Sequence, residues 1–284
     1  MRAIISVLNL QETIKKIRCN GLLNSGVIEF KDGNIQAKGN GVEVTATSKK
    51  GENATKTASK VDGSMSFEVH IPTPVQEAGE IAISNLQDLL SKTEIFEKED
   101  LISVSTENNK LIMSRELPVM VLEYDLADRK FIPSAHKDQQ DVIFGYVPTG
   151  SDPANTIPMI VLKNLKGVTK EFPFTTEIIM DASQLKAFAS VAGKISVTRV
   201  PLQVKDGKFI SALKGSGSSA KAEIKTDKTI GEASATYGAE IIELFNMGFG
   251  LATLRFATDS MIHIHYELNQ QKADYLTVPA AKSK

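Results

Sequence analysis

The 284-residue sequence has a single cysteine, Cys19, which excludes an internal disulfide, and no cluster of Cys and His has the spacing of a zinc site. This usage points to a reducing, intracellular setting. Charge of one sign is not in excess either: 33 basic and 34 acidic residues leave a formal net charge of −1. A nucleic-acid surface would therefore have to be a local basic patch on a neutral whole. Long apolar runs are also missing. The opening residues, Met1-Arg2-Ala3-Ile4-Ile5-Ser6-Val7, lack an extended apolar stretch with a small-residue cleavage site, and no window approaches the ~18 uninterrupted apolar residues of a membrane span. The expectation is a protein neither secreted nor membrane-spanning, cytoplasmic in location. With 42% hydrophobic and 24% charged residues, the composition is globular and the length suits two domains.

A catalytic constellation is a further absence. Gly215-Ser216-Gly217-Ser218-Ser219-Ala220 follows a strand pattern but leads into alternating residues 221–225, so no helix N-terminus is there to meet a phosphate. Gly248 and Gly250 follow a helix instead of opening one, and both segments read as turns. His263 and His265 share one face of a strand, yet no third metal ligand is suggested beside them, and two ordinary sheet histidines are the expectation. Carboxylates are scattered and Cys19 has no suggested base. Neither catalytic residues, metal nor cofactor is expected.

What the sequence does contain is a fourfold repeat: an amphipathic helix of about ten residues, a strand, a polar two-residue turn and a returning strand. The copies span residues 10–38, 86–115, 185–213 and 241–268, with turns at Asp32-Gly33, Asn109-Lys110, Asp206-Gly207 and Asp259-Ser260. In the first helix Leu10, Ile14 and Ile17 make the apolar face, with Glu12, Lys15, Lys16 and Cys19 directed away from it. In the third, Leu185, Phe188, Ala189 and Ala192 make the buried face, with Lys186, Ser190 and Lys194 opposite. Leu86, Leu89 and Leu90 mark the second helix, with Ser84 or Asn85 as N-cap, and Ile241, Leu244 and Phe245 mark the fourth. Asp181 or Ser183 caps the third. Asp-Gly pairs readily take the positive φ angles of a tight hairpin. Strand patterns also cover residues 42–47, 66–71 and 117–124, while residues 49–62, rich in Lys, Gly, Thr and Ser, read as a solvated loop. Prolines 133, 148, 153 and 158 and glycines 145, 150 and 167 interrupt the stretch that follows, which reads as a connector containing short strands at 142–147 and 157–162. The implied division is 1–125, a connector at 126–172, and 173–284.

Helix, hairpin and further strands, twice per domain and two domains per chain, resembles the DNA sliding clamps: the proliferating cell nuclear antigen family and the shorter clamps of T-even-type phages. Met120-Val121-Leu122-Glu123-Tyr124-Asp125-Leu126, followed by Ile132-Pro133, is similar to the family's last first-domain strand running into its connector. Residues 174–188 resemble the start of a second clamp domain. Tyr275-Leu276 before Pro279 is similar to the family's C-terminal stretch, and Leu23-Asn24-Ser25-Gly26-Val27 resembles the phage clamps. The order and spacing of these strings carry the resemblance.

The resemblance implies an α+β fold of two similar clamp domains, each with two helices packed on antiparallel sheets, closed as a homotrimeric ring around duplex DNA. It implies a processivity factor, phage or viral in type and acting in the nucleoid or infected-cell cytoplasm, that tethers DNA polymerase and other replication proteins and is opened by a clamp loader. Subunits would pair the edge strands 117–124 and 219–225. The ring lining would be sequence-independent in its DNA contacts and would draw on Lys15, Lys16 and Arg18, on Lys92, and on Lys186 and Lys194. The fourth helix, with Glu240 and Glu243, departs from that basic pattern. Partner peptides would dock on Leu126, Phe131, Ile132, Tyr275, Leu276, Val278 and Pro279. Two other readings fit the same residues: a β-rich structural or assembly module, for example of a virion, that does not bind DNA, and an enzyme with a polar site in the connector.

Overall fold

A computed structural model describes residues 1–40, 43–49, 55–61, 65–132, 141–148, 156–163 and 169–280. The chain folds as two compact units, Met1–Lys137 with Gln270–Ala273, and Asp138–Asn269 with Asp274–Lys284. Four α-helices and antiparallel sheets make up the described residues, an α+β architecture, and none of those helices is long and apolar enough to cross a membrane.

In the first unit, β1 (Arg2–Ser6) leads into α1 (Val7–Arg18), followed by β2 (Gly26–Lys31), β3 (Asn34–Asn40), β4 (Glu43–Lys49), β5 (Thr55–Val61), β6 (Met65–Pro72), β7 (Val75–Glu77) and β8 (Gly79–Ile83). Then come α2 (Leu86–Thr93), β9 (Leu101–Glu107), β10 (Lys110–Arg115) and β11 (Met120–Asp125). One sheet has the order β11-β10-β9-β1-β7, and another contains β6-β3-β2-β8. The helices start where side chains can satisfy their first amides: Ser6 accepts from Asn9 N at 3.2 Å and Asn85 from Asp88 N at 2.9 Å.

Three expectations are corrected in this unit. Residues 55–61 of the supposed loop form β5, paired with β4 from Glu43↔Val61 to Lys49↔Thr55, because β-branched Thr and Val at alternate positions outweigh the lysines. Residues 50–54 and 62–64 lie outside the described residues. The strand expected from 117 starts at Met120, since Pro118 has no amide to give a ladder and residues 116–119 turn instead. The second hairpin turns at Asn108-Asn109, one residue earlier than expected, with φ of 49° and 60°.

The second unit opens with β12 (Asp141–Pro148), β13 (Thr156–Lys163) and β14 (Thr169–Pro173), a three-stranded sheet of their own. Pro133, Gly150, Pro153 and Gly167 of the connector pattern lie outside the described residues. Next come β15 (Thr176–Asp181), α3 (Ala182–Ile195), β16 (Arg199–Lys205), β17 (Lys208–Lys214), β18 (Ser219–Ile224), β19 (Lys228–Ile230) and β20 (Ala233–Gly238). Then come α4 (Glu240–Asn246), β21 (Leu251–Phe256), β22 (Ile262–Leu268) and β23 (Gln271–Thr277), whose first three residues belong to the first unit. One sheet has the order β18-β17-β16-β20, and another contains β19-β15-β21-β22-β23.

Helix α3 follows the sequence pattern closely. Asp181 caps it, accepting from Ser183 N at 2.7 Å, and Ser196 ends it at φ 56°. Leu185, Phe188, Ala189 and Ala192 are buried, and the Phe188 ring meets Phe245 of α4 edge-on with centroids 6.1 Å apart. Strand β22 alternates: Ile262, Ile264 and Tyr266 face the helix side, where Tyr266 Oη donates to Leu244 O of α4 at 3.1 Å. His263 and His265 face the other way. On that side Ile160 of β13 and Phe174 pack against Met261 and Leu276, so the connector strands cover the sheet.

Phe245 is fully buried. Replacing it with Ala should therefore cost about 3–5 kcal/mol, against about 1 kcal/mol for Asp181→Ala. Urea unfolding followed by circular dichroism should rank the two variants in that order.

Candidate nucleic-acid interface

The six basic side chains expected to face DNA are not equivalent. On α1, Lys15 is exposed and donates to Glu12 Oε1 at 3.0 Å, while Arg18 is half-buried. Lys16 is a correction: only 4% of it is exposed, and its Nζ donates to Gln271 Oε1 at 3.0 Å. The buried stripe of α1 is wider than Leu10, Ile14 and Ile17, and takes in Val7, Gln11, Thr13 and Lys16. Lys16 lies one turn from Thr13 on that flank, and its long methylene stem suits the position. Burial lowers its pKa from 10.5 to about 8; Glu12 offsets part of the shift and Lys15 adds to it. Cys19, also expected outside, is fully buried, and burial pushes its thiol pKa up.

On α2, Lys92 is exposed, with Nζ 3.2 Å from Asp88 Oδ2 and 4.9 Å from the centroid of the Tyr124 ring. On α3, Lys186 and Lys194 are exposed and neither makes an ion pair among the described residues. On α4 the cap residue Ala239 offers no side-chain acceptor, and Glu240 and Glu243 stand in the first turn. Negative charge there complements the helix N-terminus, a local reason for this helix's acidity. The exposed lysines of α1 and α2 are thus balanced by acids on their own helices, and α3 carries the unbalanced positive charge.

Strand edges are the second feature. β11 ends the five-stranded sheet of the first unit, and β18 ends the four-stranded sheet of the second. Val121 on β11 is 59% exposed, and Leu117 and Val119 in the preceding turn are still more so. β18 presents Lys221 and Glu223. Each edge leaves backbone donors and acceptors without a neighbouring strand in its own sheet.

The seven residues expected to receive a partner peptide divide between the units. In the first, Phe131 is 71% exposed with Lys130 Nζ 5.0 Å from its ring centroid, and Leu126 is half-buried. Ile132 is core, packed with Val27, Ala82 and Ala127. In the second, Val278 is exposed and Pro279 half-buried, whereas Tyr275 and Leu276 are core. Tyr275 sits 6.1 Å from the Tyr266 ring, and Leu276 belongs to the cluster under β13. Exposed apolar surface is thus offered by Phe131 and Val278, with part of Leu126 and Pro279.

A polar chain crosses the second unit's sheet on the face away from the helices. Arg255 Nε donates to Glu177 Oε2 at 2.8 Å, and its Nη1 lies 3.4 Å from His263 Nδ1. His263 Nε2 and His265 Nδ1 both reach Asp274 Oδ1, at 2.7 and 2.8 Å. Burial disfavours charge on Asp274, but the two imidazoles outweigh it and hold the carboxyl well below its usual range. Burial pushes the His263 pKa down. For His265 the contacts to Asp274 and Glu267 outweigh burial and push it up. Among the described residues, these two histidines and Asp274 are the group able to offer three donors to a metal. Asp274 is the third donor that the sequence did not suggest. A tight turn at Asn269-Gln270, with φ of 49° and 68°, joins β22 to β23, and counting outward from it sets position 274 opposite 265. The glycine motifs are turns: Gly215 N donates to Ser218 O at 2.9 Å, and Gly250, at φ 58°, precedes β21.

No protein-family model and no curated protein matches the sequence. Solved structures do match. PCNA of A. fulgidus, bound to the C-terminal region of FEN-1, aligns over 100% of this chain and 99% of its own with a TM-score of 0.66 at 16% identity. PCNA of Entamoeba histolytica aligns over 99% and 98%, with a TM-score of 0.68 at 7% identity. The PCNA2–PCNA3 complex of Sulfolobus tokodaii aligns over 99% and 100%, with a TM-score of 0.66 at 12% identity. The chain has the sliding-clamp fold. Its clamp architecture is thus kept by pattern and packing at identities of 7–16%.

The buried Lys16 of this clamp fold predicts a pH effect. Its folded pKa of about 8 lies below the ordinary lysine value of 10.5, so between those values the unfolded chain binds more protons and stability rises with pH. Relative to Lys16→Met, the wild type should gain stability from pH 8 to 10.5 and show a constant difference below 8 in urea titrations. A difference without slope in that window would place Lys16 Nζ in water.

Proposed function

We propose that the protein is a DNA sliding clamp: a homotrimeric ring that encircles duplex DNA, tethers DNA polymerase and other replication proteins, and is opened by a separate clamp loader. The observation that carries this reading is the clamp fold over the whole chain. Six domains close such a ring, so a two-domain chain closes as three copies through head-to-tail contacts. The open edges β11 and β18 suit that closure, since pairing them satisfies both at once. The resemblance to T-even-type clamps favours a phage or viral origin.

Enclosure supplies retention, so the lining needs only weak attraction to phosphates, and strong contacts would stop sliding. In this reading Lys186 and Lys194 of α3 are the principal lining charges, with Arg18, Lys15 and Lys92 in support. Lys16 has no part in it, being buried. The ion pairs of Lys15 and Lys92 are surface pairs of about 0–1 kcal/mol, weak enough to exchange for phosphate. The A. fulgidus clamp is bound to a FEN-1 C-terminal region. A partner's terminal peptide is accordingly the ligand proposed here, with Phe131 of the first unit as its exposed anchor. The protein does no chemistry; it raises the effective concentration of a tethered polymerase at the primer end.

Three measurements test this. Native mass spectrometry should give three times 30.8 kDa, and Val119→Asp with Val121→Asp should leave folded monomers. A wild-type monomer at micromolar concentration would overturn the ring. Primer extension with the cognate polymerase and loader should be stimulated on circular DNA and lose that stimulation once the circle is cut. Lys186→Glu with Lys194→Glu should lower loading on the order of tenfold at low salt while the trimer persists, with the gap to wild type narrowing as salt rises.

A further inference from the structure

We propose that His263, His265 and Asp274 form a binding site for one divalent transition-metal ion of the zinc class. His263 and His265 stand two apart on β22 and so project from the same face, and Asp274 on the adjacent β23 supplies a carboxylate between them. The three donor atoms lie within 4.8 Å of one another. A tetrahedral ion with bonds of about 2.0–2.2 Å needs donors roughly 3.3–3.5 Å apart. The N···O separations of 2.7 and 2.8 Å therefore open by about half an ångström, and the two imidazoles draw together, adjustments of side-chain torsion alone. Two imidazoles and one carboxylate are a borderline donor set that favours zinc over magnesium or calcium and leaves a position for water.

The surroundings fit the ion on one side and oppose it on the other. The Phe174 ring stacks on His263 at 6.2 Å with an interplanar angle of 19°, and Met261 and Leu276 continue this apolar wall. Asp274 and His265 keep part of their surface open, so an ion can enter from solvent. Arg255 opposes it: without metal its Nη1 faces the unprotonated Nδ1 of His263 at 3.4 Å, and His263 Nε2–H donates to Asp274. When Nε2 takes the ion, the ring proton resides on Nδ1 and the Arg255 contact is given up, while Arg255 stays anchored through Nε to Glu177. One cation thus restrains the affinity for another. Bound metal would join β22 to β23 by coordination, independently of any ring or DNA.

The test uses the full-length chain stripped with a chelator. Titration with CoCl₂ should produce the visible d–d bands of tetrahedral cobalt, saturating at one ion per chain, and ZnCl₂ should bleach them with micromolar or tighter affinity. His265→Ala and Asp274→Asn, both at partly open positions, should remove the bands while circular dichroism is unchanged. Arg255→Gln, which replaces the competing cation with an amide able to accept from Nδ1–H, should tighten binding roughly tenfold. Absence of the bands in the wild type, or their survival in both ligand variants, would overturn the site. An Arg255→Gln affinity equal to wild type would overturn the account of the restraint. Since binding is read spectroscopically on the protein alone, failure here leaves the clamp reading standing, and failure of the clamp assays leaves this one standing.

Discussion

Each helix in this chain must bury one stripe against a sheet, and the width of that stripe decides which charges remain outside. On α3 the stripe is narrow, built of Leu185, Phe188, Ala189 and Ala192, so Lys186 and Lys194 stay in solvent. On α1 it is wide enough to draw in Thr13, Gln11 and Lys16, and the helix keeps less of its basic character than its composition suggests. α4 is short, lacks a side-chain cap and uses glutamates at its start, which fixes its acidity for reasons internal to the helix. The electrostatics of the candidate lining follow from packing geometry one helix at a time.

Features set by neighbours in sequence were legible without the structure. Asp32-Gly33 and Asp206-Gly207 turn at positive φ, as their residue types require, and Asn85 and Asp181 cap the helices they precede. Features set across strands or by a helix's flank were not. The burial of Lys16 depends on Gln271, far along the chain, and β5 depends on its pairing with β4. Tyr275 and Leu276 read as exposed anchors because a tyrosine–leucine pair on a strand end can face either way; alternation put Tyr275 on Tyr266, and β13 covered Leu276. Asp274 went unseen because the hairpin that brings it to His265 lies beyond the fourth repeat, outside the pattern being followed.

The connector carries the two short strands expected in it, at β12 and β13. With β14 they form a sheet of their own, and Ile160 with Phe174 packs on Met261 and Leu276. Polar groups on the face away from the helices, from Glu177 through Arg255 to Asp274, are partly shielded from water and bound to one another. A partly satisfied chain of this kind would be costly, which is a reason for five side chains to interlock so completely.

If the open edges at β11 and β18 pair between copies as proposed, the assembly follows polymer chemistry. A chain with two unlike, mutually reactive ends is a bifunctional monomer, and nothing in the ends themselves sets the length of the product. Ring and endless filament differ only in the rotation added at each link, so closure is encoded in the angle between the ends and not in their stickiness. Mutations that bend the body of the protein, far from either edge, would then convert a finite assembly into an open-ended one while leaving every interface residue untouched.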